Sequence, residues 1–202
     1  MAYFARRGER RLTHVAFVAL HYPLAFLRPV GLLSEAGFRR RWSSHLPWYF
    51  RNYTPGQMRA LTEWVAHDFV APVTRANVLA QLNQHLEQGH AVALVSGAPL
   101  PVVEAIAQMW RVPHAIGSPV ELKDGRYTAR MLGPPCIDAQ KAVYVRQYLA
   151  DRGLAVDWSA NYAYADSYSD LGMFEMVGHP VAVCPDKRLK VVAEARGWVA
   201  LN

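Results

Sequence analysis

The chain has 202 residues, of which 52% are hydrophobic and 19% are charged, and its formal net charge is +6. This apolar content excludes a disordered chain and suits one domain of ordinary size with a small subdomain. Its two cysteines, Cys136 and Cys184, are too few for a disulfide framework and lack the spacing of a zinc knuckle. We therefore expect a reducing, cytoplasmic compartment and no metal bound through cysteine.

Positive charge is concentrated at the start of the chain. Residues 1–60 carry ten arginines against two glutamates, a net +8, so the rest of the chain carries −2. A basic region attracts anions, which include phosphorylated metabolites, nucleic acids and acidic lipids. We expect no nucleic acid as partner, because the aromatic residues of this region have no strand platform or repeat around them and suit a packed core.

The first part of the chain has to be tested for targeting and membrane segments. Its opening, M-A-Y-F-A-R-R-G, lacks the features of a secretory signal and is typical of the end of a helix. The most apolar stretch, residues 15–33, is interrupted by His21, Pro23, Arg28 and Pro29, and its unbroken run is shorter than the roughly 20 residues that cross a bilayer. We predict an apolar helix packed in a helical subdomain, with no transmembrane span and with peripheral membrane contact left open.

Helical periodicity continues over residues 34–71. Thr54 and Pro55 form a good helix start, with threonine as the N-cap and proline at the first helical position. We therefore predict an all-helical block over residues 1–72. The run of arginines at 39–41 suits either a solvated helix face or the entrance to an anion site.

Helices and strands alternate over residues 73–202, which predicts an α/β, Rossmann-like fold with a mostly parallel sheet. The turn residues Asp124 and Gly125 predict a β-hairpin over residues 120–131. The remaining predicted strands are at 91–95, 113–117, 162–165 and 181–184, and the predicted helices are at 77–88, 100–110, 139–152 and 187–196.

Four polar residues are candidates for a site. Asp166 and Asp170 follow a predicted strand across a serine-rich turn, where carboxylates suit either Mg²⁺ or the N-cap of the next helix. Ser96 follows another strand and precedes a helix, so Ser96 and the N–H groups after it suit either a phosphate or an ordinary turn. Lys141 lies in the first turn of its helix, where a cation is unfavourable unless it has a carboxylate partner or a function; the alternative is a surface lysine.

In this order the motifs resemble those of the haloacid dehalogenase superfamily, in its phosphoserine-phosphatase-like branch (subfamily IB) with a helical cap. The sequence V-A-L-V-S-G, which contains Ser96, is similar to the second motif of that family. K-A-V-Y-V begins at Lys141, where the third motif has its lysine, and Y-A-D-S-Y-S-D-L contains the acidic pair of the fourth motif. The resemblance implies a helical cap at residues 1–72 and a catalytic α/β core at residues 73–202.

The resemblance further implies Mg²⁺-dependent hydrolysis of a small phosphomonoester through an aspartyl-phosphate. By this analogy Asp166 is a metal ligand, and Asp170 orients Lys141 or a metal-bound water. Ser96 and the Gly97 N–H bind the oxygens of the substrate phosphate. Lys141 neutralises charge on the nucleophile and on the phosphate. Such donors are what phosphoryl transfer needs around the equatorial oxygens.

The first motif of the family, Asp-x-Asp, is absent from the 202 residues. The resemblance therefore leaves the chain without a nucleophile, without the acid/base of that motif and without one metal ligand. The strand of that motif lies between the strands of the second and fourth motifs, so its loss leaves two neighbours unpaired. We expect that the natural product starts upstream of Met1 and that the 202-residue chain turns over little or nothing. The alternative is a truncated, catalytically inactive module of the same fold family that binds anionic partners or a membrane surface through its basic helices.

Overall fold

The computed structural model describes residues 2–27 and 31–201, and it divides into two compact units. The first, here called the N-terminal unit, is Met1–Pro135, and the second, the C-terminal unit, is Cys136–Asn202. The boundary predicted after residue 72, between a cap and a catalytic core, stays a prediction.

The described structure of residues 2–73 is helical, as the periodicity predicts. It comprises α1 (Ala2–Arg7), α2 (Arg11–Phe26), α3 (Glu35–His45), a 3-10 helix (Leu46–Phe50), α4 (Pro55–Trp64), a π-helix (Val65–Val70) and a 3-10 turn (Ala71–Val73). The predicted start of α4 is confirmed as a capping box: the Thr54 hydroxyl accepts the Gln57 N–H, and the Gln57 side chain accepts the Thr54 N–H.

The core of these helices is largely aromatic, as predicted. Phe17 is fully buried, and its ring packs edge-on against Trp42 with centroids 4.6 Å apart. Phe4 stacks on Tyr49 at 5.3 Å. Such pairs add to the area that the rings bury, so these four aromatic residues are accounted for by packing.

The helix α2 is less buried than predicted. Only Phe17 and His21 among its residues are buried, while Leu12, Val15 and Tyr22 are exposed. The apolar composition of residues 15–33 was therefore a poor guide to packing, because the neighbouring elements cover one side of the helix only. Arg28 and Pro29 lie outside the described residues. In the part of the chain that the structure describes, no helix is long and apolar enough to cross a membrane.

An α/β segment completes the N-terminal unit. It contains α5 (Ala76–Glu87), β1 (Ala93–Pro99), α6 (Leu100–Met109), β2 (His114–Ser118) and a hairpin of β3 (Val120–Lys123) and β4 (Arg126–Met131). β1 and β2 pair in parallel, whereas β3 and β4 are antiparallel. The hairpin turn is confirmed, with positive φ at Asp124 (49°) and Gly125 (71°).

The contact between α6 and β2 depends on Gly117. A Cβ at this position would lie 2.8 Å from the Leu100 Cα and 2.8 Å from a methyl group of Val103. A glycine is therefore needed where the first turn of α6 crosses the strand.

The C-terminal unit is also α/β. Its elements are α7 (Gln140–Asp151), a 3-10 turn (Trp158–Ala160), β5 (Tyr162–Ala165), a 3-10 turn (Tyr168–Asp170), α8 (Leu171–Phe174), β6 (His179–Val183), α9 (Lys187–Arg196) and β7 (Val199–Leu201). The three strands form a parallel sheet in the order β5, β6, β7. Phe174 and Leu189 are buried in its core and partly buried Trp198 packs against them. The predicted α/β fold with parallel strands is confirmed.

Within the described residues, the strands that carry the second and fourth motifs lie at the edges of their sheets. β1 pairs with β2 and β5 pairs with β6.

Candidate active site

The acidic segment after β5 is held in place by local and longer-range hydrogen bonds. Asp166 is the first residue after the strand, and its carbonyl accepts the Asp186 N–H at 2.8 Å. Ser167 is the N-cap of the 3-10 turn, and its hydroxyl accepts the Ser169 N–H at 3.3 Å. The serines therefore shape the turn that presents the two aspartates.

Asp170 lies at the N-cap position of α8, yet its side chain makes no capping hydrogen bond there. Its Oδ1 instead lies 2.7 Å from Nζ of Lys141, in the first turn of α7. The exposed fraction of each side chain is low, 16% for the lysine and 8% for the aspartate. The carboxylate partner explains how α7 tolerates a cation at its N-terminus, and the capping alternative for Asp170 is excluded.

Cys136 lies close to this ion pair and is fully buried. Burial raises the pKa of its thiol to about 11; Lys141 lowers that pKa and Asp170 raises it. A buried thiol with a raised pKa is mostly protonated at neutral pH, which disfavours Cys136 as a nucleophile.

Asp186 is a residue whose role in this region the sequence analysis missed. Its side chain caps α9 by accepting the N–H groups of Arg188 and Leu189, and its other oxygen accepts the Tyr168 N–H at 2.8 Å. Burial acts to raise the pKa of Asp186, but these backbone bonds and the Ser167 hydroxyl outweigh it and the pKa is lowered. Its position just before a predicted helix was an N-cap signal that could have been recognised.

Ser96 and Gly97 belong to the N-terminal unit. The strand predicted to end at residue 95 continues to Pro99, so Ser96 lies within β1 and α6 begins four residues later. The Ser96 hydroxyl accepts the Ala98 N–H at 3.3 Å. The fully buried Ser118 donates its hydroxyl to the Gly97 carbonyl at 2.8 Å. Ser118 thus fixes the Gly97 peptide against β2, which no local pattern indicated.

The surroundings of the arginines at 39–41 favour a solvated helix face over the entrance to an anion site. Arg39 lies 3.9 Å from Glu35, one turn earlier in α3. Arg40 and Arg41 are exposed. Exposed pairs of this kind contribute little to stability.

Mg²⁺ prefers oxygen ligands, and the Asp166 carboxylate has the right chemistry for it. Asp170 has one oxygen engaged by Lys141. Over residues 2–27 and 31–201 there is no group of three or more histidine, cysteine or acidic side chains placed to hold a metal ion. The role of Asp166 as a Mg²⁺ ligand therefore stays a prediction.

Comparisons with known proteins agree with this fold and motif order. The model of the haloacid dehalogenase-like hydrolase family matches residues 1–175. A probable phosphatase from Mycobacterium tuberculosis is 32% identical over 162 residues, which is 80% of this chain and 55% of that protein. The phosphoserine phosphatase SerB1 of the same organism is 32% identical over 142 residues, 70% of this chain and 46% of its own length.

A solved structure is also similar. A protein of unknown function from Bordetella pertussis is 30% identical, with a TM-score of 0.77 over 89% of this chain and 79% of that one. This chain therefore belongs to the haloacid dehalogenase-like hydrolase family, and within it resembles the phosphoserine-phosphatase kind. It spans about half the length of the two curated relatives.

Proposed function

We propose that this chain forms part of a phosphatase that hydrolyses a small phosphomonoester in the cytoplasm. The observation that carries the proposal is the shielded contact of Lys141 with Asp170, which lies in the turn that follows β5, at the carboxyl end of a parallel strand where α/β folds bind ligands. Family membership and the phosphatases among the relatives support it.

In this proposal Lys141 neutralises charge on the phosphate, and Asp170 holds the ammonium group in position. Ser96 and the Gly97 N–H bind phosphate oxygens, with Ser118 holding the Gly97 peptide. Asp166 is one ligand of Mg²⁺, which when bound supplies positive charge to the transferring phosphoryl group. The aspartyl-phosphate of the family requires a nucleophile in an Asp-x-Asp motif, which the 202 residues do not contain.

The alternative of a catalytically inactive, anion-binding module is less favoured. It rests on the net charge of residues 1–60 and offers no reason for a shielded Lys141–Asp170 pair.

The test uses two preparations, the 202-residue chain and the protein purified from the cells that make it. The intact mass of each is measured by mass spectrometry and compared with the 22.7 kDa of the 202-residue chain. Phosphate release is then measured with and without Mg²⁺ on phosphoserine and other small phosphomonoesters. We expect Mg²⁺-dependent release by the protein from its own cells, lost in Lys141→Ala and in Asp166→Asn, and no release by the 202-residue chain.

The outcomes separate the parts of the proposal. No release by the protein from its own cells, on any of the phosphomonoesters, would refute the phosphatase function. Release that survives Lys141→Ala would refute the role of that lysine. Strong Mg²⁺-dependent release by the 202-residue chain would show that its nucleophile lies among these residues.

A further inference from the structure

The helix α2 presents a continuous apolar side to solvent. Leu12, Val15, Ala19, Tyr22 and Phe26 recur at intervals of three and four residues, so they share one side of the helix, here called the apolar face of α2. The larger side chains are strongly exposed: Leu12 86%, Val15 63%, Tyr22 65% and Phe26 62%. The buried Phe17 and His21 lie on the opposite side, against the helical core.

The charge around this face is positive. Residues 10–34 contain no aspartate or glutamate. Arg11 is exposed at the start of α2. The nearest preceding acid, Glu9, is engaged by Arg7 and by the Tyr53 hydroxyl. An apolar face edged by arginine suits a surface that is both apolar and negatively charged.

We propose that α2 docks on the surface of a membrane that contains acidic lipids, with its apolar face in the region between headgroups and acyl chains. An aliphatic and aromatic side with arginine at its edge, in a basic part of the chain, suits a helix that lies in this region. Tyr22 and Phe26 place aromatic rings at one end of the face, and aromatic rings such as tyrosine are favoured at membrane interfaces. At 16 residues, α2 lies along the surface rather than crossing it.

A second copy of the chain is a weaker candidate for the occupant. The spacing of the apolar face is also that of a coiled-coil seam. However, α2 carries Arg11 and no acidic residue, so two paired α2 helices would form no ion pair with each other. Acidic lipid complements this charge, whereas a second copy repeats it.

The docking does not depend on the proposed phosphatase function, and its test measures vesicle binding without any turnover. The 202-residue chain is floated with vesicles of phosphatidylcholine and with vesicles in which about one third of the lipid is phosphatidylglycerol. The test variant is Val15→Gln/Tyr22→Gln/Phe26→Gln. The control, Leu132→Gln/Val191→Gln/Val199→Gln, changes side chains that are 67%, 66% and 64% exposed elsewhere on the protein. Circular dichroism checks that both variants fold.

We expect binding to the acidic vesicles, weakened by about tenfold or more in the α2 variant and unchanged in the control. Salt should weaken the binding by screening the arginines. Absence of binding by the parent chain would overturn the proposal. Equal binding by the α2 variant would also overturn it, since the contact would then be through charge alone. Self-association that disappears in the α2 variant, without vesicle binding, would assign the face to a second copy instead.

Discussion

Nζ of Lys141 lies 2.7 Å from Oδ1 of Asp170, and this contact joins the first turn of α7 to the start of α8. A lysine at a helix N-terminus opposes the helix dipole. The position of Lys141 beside a shielded carboxylate suits a site where charge on a substrate has to be balanced.

Removing one partner of this pair should cost more stability than removing both. Asp170→Asn leaves the Lys141 ammonium poorly solvated, and we expect the free energy of unfolding to fall by about 3 kcal/mol. The double variant Lys141→Met/Asp170→Leu should be closer in unfolding free energy to the parent than Asp170→Asn is. No unpaired charge stays behind in the double variant. Urea unfolding of the parent, the single variants (Asp170→Asn, Lys141→Met and Asp170→Leu) and the double variant measures this. Strictly additive effects of Lys141→Met and Asp170→Leu would mean that the two side chains do not interact.

Asp186 should matter for the acidic segment although it has no assigned catalytic role. Asp186→Ala removes the cap of α9 and the bond to the Tyr168 N–H, and we expect a loss of about 1–2 kcal/mol in unfolding free energy. Thermal unfolding followed by circular dichroism measures it. The control is Asp157→Ala, which removes the side-chain cap of an exposed 3-10 turn and should have a smaller effect. Equal effects would show that the bond to Tyr168 adds nothing.

Local chemistry in the sequence was enough to predict several structural elements. Thr54 with Gln57, Asp124 with Gly125, and the helix that ends at Gly197 each depend on bonds or dihedral angles within a few residues. The pattern could not show where β1 ends, because its last pairing, Pro99 with Ser118, is made across the sheet. The three-residue strand β7 was also missed.

The candidate site was predictable to a similar degree. Asp166, Asp170, Lys141 and Ser96 were selected from motif order, and their roles stay predictions. The shielded Lys141–Asp170 contact agrees with the pairing that the resemblance implied. The bonds from the Tyr168 N–H to Asp186 and from the Ser118 hydroxyl to Gly97 could not be predicted, since each joins residues more than fifteen positions apart. The exposure of α2 could not be predicted from the sequence either, because it depends on the elements that pack against each side of the helix.

Gly117 should tolerate no side chain. In Gly117→Ala the new methyl group would meet the Leu100 backbone and Val103 at 2.8 Å, so α6 or β2 has to shift, and we expect a cost of about 1–3 kcal/mol. Gly56→Ala is the matched control, because a Cβ there meets only the Thr54 hydroxyl, at 3.9 Å. Chemical unfolding of both variants measures the difference. A Gly117→Ala protein as stable as Gly56→Ala would contradict the close approach of α6 and β2.

Acid should destabilise the helical part of the N-terminal unit through His45. Its Nδ1 lies 3.0 Å from Nε2 of the buried His21, and its ring stacks on Trp48 at 4.5 Å. Burial lowers the pKa of His45 below its ordinary value of 6.5, and the neighbouring His21 and Arg41 lower it further. The unfolded chain therefore takes up a proton at His45 before the folded chain does, so stability falls as the pH drops below 6.5 towards the folded pKa.

His45→Asn tests this, because the asparagine amide can replace the Nδ1 contact to His21 without titrating. We expect the urea midpoint of the parent to fall between about pH 7.5 and about pH 5, and the fall to be smaller in His45→Asn. His67→Asn, which changes an exposed histidine of the same unit, should keep the parent's pH dependence. If His45→Asn also kept it in full, the acid sensitivity of this unit would have to come from groups other than the His21–His45 pair.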